Sequence, residues 1–227
     1  MPRIKTYTVF LFVVLLLFVG CKTETLFQSN FDNTGVGQQP AHVQKVGTAN
    51  LEGPVGAVTV VASPVATGGK WIQVKREQNN TSVSAFQGVL SKVTGEGEFT
   101  FTSTLFIPSG AEVVTLQMEA QQEQIAFLHL DFTQNNQVRL DDNDSTTFGS
   151  FPRDQAFLIQ VTLNVTASAT TAHIVLSGAD ASGTSDYTLK GALANFAKQF
   201  FAVRVWMGFP WAGSFDATNI VVQRKVK

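Results

Sequence analysis

Cysteine is almost absent from this chain of 227 residues. The single one, Cys21, stands near the N-terminus, so everything after it folds without a disulfide or a cysteine-based zinc cluster. Charge is sparse as well. Charged residues make up 15% of the sequence, the formal net charge is −1, and the basic residues are scattered until Arg224-Lys225 and Lys227. A nucleic-acid surface calls for a basic patch, so no nucleic-acid partner is expected. Tyrosine occurs only at Tyr7 and Tyr187 and histidine only three times, which leaves little material for general-base chemistry. No His-x-x-x-His pair and no Ser/His/Asp order suggests a metalloenzyme or a serine hydrolase.

The N-terminus is informative. Arg3 and Lys5 precede the apolar run Val9–Val19, and Phe18-Val19-Gly20-Cys21 then leads into polar Lys22-Thr23-Glu24. A positive start, a short apolar stretch and a small residue before a cut describe an export signal. The run falls short of the about 20 residues that span a bilayer. Leu17–Cys21 resembles the bacterial lipobox, in which a peptidase cuts before a cysteine that becomes lipid-modified; Phe18 stands where that motif usually carries Leu. The resemblance implies a lipoprotein signal peptide at residues 1–20, lipidation at Cys21, and localisation in a bacterial cell envelope, anchored to a membrane outside the cytoplasm. Several acyl chains on one cysteine hold firmly where a single chain binds only marginally. The competing reading is an uncleaved membrane anchor with an incidental cysteine. Residues 6–19 are expected to form a helix that packs on nothing, residues 21–30 a lipidated N-terminus and tether, and residues 27–227 a single domain.

The rest reads as β almost throughout. Phe99–Ile107 is rich in aromatic and β-branched residues and stops at Pro108-Ser109-Gly110. Val114, Leu116 and Met118 alternate with polar residues, as do Phe157, Ile159, Val161, Leu163 and Val165, then Phe201, Val203, Val205 and Met207. Short period-two runs broken by Gly, Pro, Asn and Asp are the pattern of an antiparallel two-sheet β-sandwich, each sheet apolar on one face. About 200 residues suit one such domain. Leu189–Phe200 reads either as one short helix or as a loop.

One hairpin can be registered from sequence. Ala126–Thr133 and Gln137–Asp141 flank Gln134-Asn135-Asn136. Directly opposed residues share a face. A three-residue loop pairs Phe132 with Val138, Leu130 with Leu140, Asp131 with Arg139 and His129 with Asp141. The apolar and polar faces then sort cleanly, and Asn136 suits the left-handed position such loops require.

Phe27-Gln-Ser-Asn-Phe31-Asp32, Lys70-Trp71-Ile-Gln-Val74 after a Gly-Gly turn, Phe201–Trp206, and the closing Gly213–Val222 together resemble the concanavalin A-like jelly roll of lectins, laminin G modules and glucanases. The likeness spans most of residues 27–224 and lies in strand rhythm. It implies a ligand on the concave sheet or on a rim of loops, and often a structural calcium.

The catalytic signature of the jelly-roll glucanases, Glu-x-Asp-x-x-Glu or Glu-x-Asp-x-Glu on one strand, is missing, although glycoside hydrolysis needs two placed carboxylates. Glu96-Gly-Glu98 lacks the central Asp, and Glu119 and Glu123 read as solvated residues of a loop. For a lyase, His129 with Arg139 is the best base and uronate-neutralising pair. Asp141-Asp-Asn-Asp144 reads as a turn, with calcium binding as the alternative. No cofactor is named by any motif.

Strand parity places His129, Asp131 and Arg139 on one polar face and Arg204 and Trp206 on the polar side of a late strand. Phe209-Pro210-Trp211 follows as an aromatic loop. An indole on a polar sheet face suits stacking on a sugar ring; the competing reading has Trp206 under a covering loop and Trp211 plugging one end. The candidate ligand residues are therefore His129, Asp131, Arg139, Arg204, Trp206 and Trp211. Three functions stand: an envelope lipoprotein binding polysaccharide, a structural or assembly lipoprotein binding another protein, and a polysaccharide-degrading enzyme. The first is preferred.

Overall fold

The structure is a computed structural model that describes residues 22–66, 68–140 and 146–226. Residues 1–20, Cys21 and the 141–144 run, Asp141 included, lie outside the described residues, and so does the expected helix over 6–19.

The described residues form fifteen strands: β1 (Lys22–Gln28), β2 (Thr48–Glu52), β3 (Val58–Ala62), β4 (Lys70–Arg76), β5 (Ser84–Val89), β6 (Gly97–Phe106), β7 (Val114–Ala120), β8 (Ala126–Phe132), β9 (Gln137–Leu140), β10 (Thr146–Ser150), β11 (Ala156–Val165), β12 (Thr170–Ser177), β13 (Ser182–Leu189), β14 (Phe200–Met207) and β15 (Gly213–Val226). All pairings are antiparallel. The front layer runs β2-β5-β14-β7-β8-β9 and the back layer β13-β12-β11-β6-β15-β4-β3, with β1 added on β15. β9 and β10 carry the hydrogen bonds round from one layer to the other, so the sandwich is one continuous array folded over its own core.

Alternation decides which side chains enter that core. Leu128, Leu130, Phe132, Val203 and Val205 of the front layer and Phe157, Ile159 and Val161 of the back layer are all buried, as their parity requires. Phe132 meets Phe157 at 5.7 Å between ring centres, and Phe99 meets Phe200 at 6.0 Å, edge to face. Each fully buried Phe of this kind contributes about 1.5–3 kcal/mol.

The β8–β9 hairpin has the register expected from its sequence, with Leu130, Asp131 and Phe132 opposite Leu140, Arg139 and Val138. Asn136 is left-handed at φ 60°. The Leu189–Phe200 segment takes the helical alternative: Leu189 ends β13, a short helix α1 (Gly191–Phe196) and one 3-10 turn follow, and Phe200 starts β14.

The expected tether is corrected. Lys22–Gln28 is strand β1, paired with β15 from Lys22 opposite Val226 onward. Leu26 and Phe27 are fully buried, and the Phe27 ring lies on Gly88, where an added Cβ would come within 2.7 Å of it. A segment that buries two large apolar side chains cannot behave as a free linker. Among the described residues no helix is long and apolar enough to cross a membrane.

Candidate functional site

The outward face of the front layer carries polar side chains in cross-strand rows. One row reads Glu52, Ala85, Trp206, Thr115, Asp131 and Arg139 across β2, β5, β14, β7, β8 and β9. The next reads Asn50, Gln87, Arg204, Gln117 and His129. Strands about 4.8 Å apart place Trp206 roughly 10 Å from Asp131. His129, Asp131, Arg139, Arg204 and Trp206 thus share one surface. Trp211 does not join them: it stands in the loop at the end of the sandwich, its carbonyl accepting a hydrogen bond from Arg76.

Asp131 is the hub of one cluster. It is 4% exposed and accepts from Thr115 Oγ1 at 2.7 Å, from His129 Nε2 at 3.2 Å and from Arg139 Nη2 at 3.0 Å. Burial alone would raise its pKa, but the hydrogen bonds from His129 and Thr115, with help from Arg139, hold it down at about 2. Gln117 Nε2 lies 3.4 Å from His129 Nδ1, so both ring nitrogens of His129 are engaged.

Glu119 is the hub of the second. It is 2% exposed and accepts from Gln87 Nε2 at 2.6 Å, and Gln87 in turn accepts from Asn50 at 2.9 Å. Arg204 donates to Glu52 at 2.6 Å and lies 3.8 Å from Glu119. Burial pushes the Glu119 carboxyl above its ordinary pKa, with Gln87 and Arg204 opposing that rise. Reading Glu119 as a solvated loop residue is therefore corrected: it is the last polar position of β7, in phase with Thr115 and Gln117. That phase was visible in the sequence, since Val114, Leu116 and Met118 alternate with all three.

Trp206 sits where the two clusters meet. His129 faces it at 6.3 Å between ring centres, and the Arg204 guanidinium lies 5.1 Å from its centroid. Gly208 bounds the indole on another side, where a Cβ would fall 2.1 Å from Cζ3. The indole is thus partly covered and partly open. Trp206 Nε1, Arg204 Nε and Arg139 Nε are buried and have no hydrogen-bond partner among the described residues. The open part of the ring can offer a flat apolar surface.

A cleft of about 830 Å³ lies elsewhere, over the outward side of the back layer, and is lined in part by Asn30, Asp32, Lys70, Trp71, Asp154 and Asn219. None of the sequence candidates lines it. Trp71, at its base, is buried, and Lys70 Nζ is held by the carbonyls of Asp32 and Thr34, both at 2.7 Å. Among the described residues no group of three or more His, Cys, Asp or Glu is placed to hold a metal ion.

No protein-family model matches the chain, and no curated protein matches it. Solved structures do. An endo-1,3-beta-glucanase from Streptomyces sioyaensis is 12% identical, with TM-score 0.58 over 90% of this chain and 97% of that one. The catalytic domain of a glycoside hydrolase family 131 protein from Coprinopsis cinerea is 11% identical, with TM-score 0.55 over 88% and 94%. Lectin I from Ulex europaeus, solved with the methyl glycoside of alpha-L-fucose, is 12% identical, with TM-score 0.52 over 89% and 98%. The fold is that of the concanavalin A-like sandwiches. At this identity the likeness extends to the fold alone, and the site has to be argued from its own residues.

Proposed function

We propose that this protein is a lipid-anchored, exported lipoprotein of the bacterial envelope that binds polysaccharide on the outward face of its front layer. The observation that carries the binding reading is Trp206: a partly open indole on a polar sheet face, flanked by His129 and Arg204. Recognition sites combine apolar contact area with a few placed polar groups, and a sugar ring offers an apolar face with oxygen acceptors at its rim. The lectin and glucanase folds around it are consistent with such a ligand. Anchoring rests on Gly20-Cys21 after the apolar run.

The arrangement favours binding over hydrolysis. Glu119 and Asp131 are separated by four residues of strand, roughly 13 Å, beyond the about 5–9.5 Å used by paired glycosidase carboxylates. Glu52 and Glu119 are closer but have Arg204 between them. His129 has no free ring nitrogen to serve as a lyase base. A protein-binding role has one observation in its favour: Phe209 and Trp211 are 67% and 36% exposed at the end of the sandwich.

A glycan array probed with residues 22–227 tests the proposal. Binding that is lost in Trp206→Ala, and kept when Phe209 and Trp211 are both replaced by Ser, supports the face as the site. No bound glycan, or binding that survives Trp206→Ala, rejects it.

A further inference from the structure

We infer that the end of the sandwich where β1 starts rests directly on the membrane surface, so that the proposed binding face projects away from the bilayer with its Trp206 row outermost. The inference rests on the anchoring of Cys21 proposed above and adds the orientation and the membrane-facing surface.

The geometry comes from β1. Its first residue, Lys22, is already paired with Val226, and consecutive Cα atoms are about 3.8 Å apart. Cys21 directly precedes Lys22 in the chain, so a lipid on it is one residue in sequence from the start of a packed strand. Four residues further on, Leu26 and Phe27 are locked in the core. Lipid on Cys21 therefore brings this end of the domain to the headgroups.

The chemistry of that end fits an anionic lipid surface. Gly97-Glu98, Val165-Thr166, Thr170 and Leu189 lie at this height in the back layer, because Gly97 pairs with Val165, and Thr170 with Val165 and Leu189. Among the described residues its cations are Lys22, Lys92, Lys190, Lys198, Arg224 and Lys225, against Glu24, Glu96, Glu98 and, in the β7–β8 connection at the same end, Glu123. Lys92 is paired with Glu24 and Lys225 with Glu98. Arg224 donates to the Glu96 carbonyl, and Lys198 to the Ala167 carbonyl. Lys22, Lys190, Lys198 and Arg224 thus have no carboxylate partner among the described residues, in a chain whose formal net charge is −1. Basic side chains close to a bilayer are attracted to anionic lipids.

The opposite end is built differently. β15 runs from Gly213 to Val226, roughly 40 Å at strand rise, and the far end carries Phe209, Trp211 and Val55, the last 97% exposed. Trp206 is the penultimate residue of β14, one residue from that end, and Glu119 lies towards the anchored end. A standing orientation thus presents Trp206, Asp131 and Arg139 to ligand on the outer side.

The test uses the full chain, processed in a bacterial host and reconstituted in vesicles of phosphatidylethanolamine and phosphatidylglycerol carrying a headgroup spin-label quencher. Mass spectrometry reads the acyl mass on Cys21. Since no other cysteine exists, Val226→Cys and Val55→Cys each accept a single fluorophore. With the acyl mass present, the inference expects strong quenching at 226 and little at 55. It also expects quenching at 226 to fall when Lys190 and Lys198 are both changed to Glu. Equal quenching at the two sites, or quenching at 55 alone, overturns the orientation and leaves the anchor standing. Absence of the acyl mass overturns the anchoring reading, and the inference falls with it.

Discussion

Trp206 and His129 face each other at 6.3 Å across β7, although 77 positions separate them in the chain. The pairing arises because β14 inserts between β5 and β7, which puts Arg204 and Trp206 opposite Gln117 and Thr115 and so one strand from His129 and Asp131. Trp206→Ala should therefore weaken glycan binding by about 2 kcal/mol, roughly 30-fold. Its stability cost should be smaller than that of a core Phe, since part of the indole is open. Isothermal titration together with urea unfolding reads both. A loss of 4 kcal/mol or more in stability would mean that the ring is core.

Gly208 tests the same platform without touching the indole chemically. A methyl group there would meet Trp206 Cζ3 at 2.1 Å, so Gly208→Ala must push the ring out of place. Glycan affinity is expected to drop about tenfold, with an overpacking cost of about 1–3 kcal/mol. Unchanged affinity would mean that the observed ring position is irrelevant to binding.

Arg153 ties together the loops at the far end. It donates to the carbonyls of Pro108, Ala111 and Thr133 at 3.0, 2.8 and 2.9 Å and to Asn136 Oδ1 at 2.9 Å. Arg153→Ala strands several acceptors at once and should cost about 3 kcal/mol. Arg153→Lys should recover only part, because an ammonium cannot reproduce the planar fork. Urea midpoints that match wild type in the Ala variant would remove Arg153 from this role.

Much of this was legible in the sequence, and the limit has a physical basis. Alternation within a strand sorts its side chains between two faces, and it correctly put Arg204 and Trp206 opposite in phase to Val203 and Val205. The β8–β9 register followed from a local loop. Sheet order is not local: nothing between residues 89 and 200 signals that β14 will lie beside β5, so Gln87, Asn50 and Glu52 could not be assigned to the site. Glu119 reads as a loop residue in the sequence because the polar Gln121–Gln124 stretch follows closely after it. The residues of β1 read as a tether in the sequence because Lys22-Thr-Glu-Thr is polar and their pairing partner lies at the other end of the chain.

Asp131 should govern stability in acid. Its folded pKa, about 2, lies below the ordinary 3.8, so the folded state binds fewer protons than the unfolded chain. That contribution is complete above about pH 4 and is lost as the pH falls towards 2. It amounts to about 2 kcal/mol. Asp131→Asn should be destabilised at pH 7 and lose less of its stability between pH 4 and 2 than wild type does. Parallel pH profiles for the two proteins, by denaturant unfolding, would contradict this.

Asp216 behaves in the opposite sense. It is buried on β15, on the outward side of the back layer, where Gln73 Nε2 donates to it at 3.1 Å. Burial pushes its pKa up to about 6 from 3.8, with the Gln73 hydrogen bond opposing. Between those values the folded state holds a proton that the unfolded chain releases, so stability falls as the pH rises from about 4 to 6 and stays reduced above that. The size is about 3 kcal/mol at most. Asp216→Asn keeps an oxygen for Gln73 and removes the charge. It should be more stable than wild type at pH 7 and close to it at pH 4. Both can be measured by urea unfolding across that range. A variant less stable than wild type at pH 7 would show that the ionised carboxylate has a favourable partner at that site.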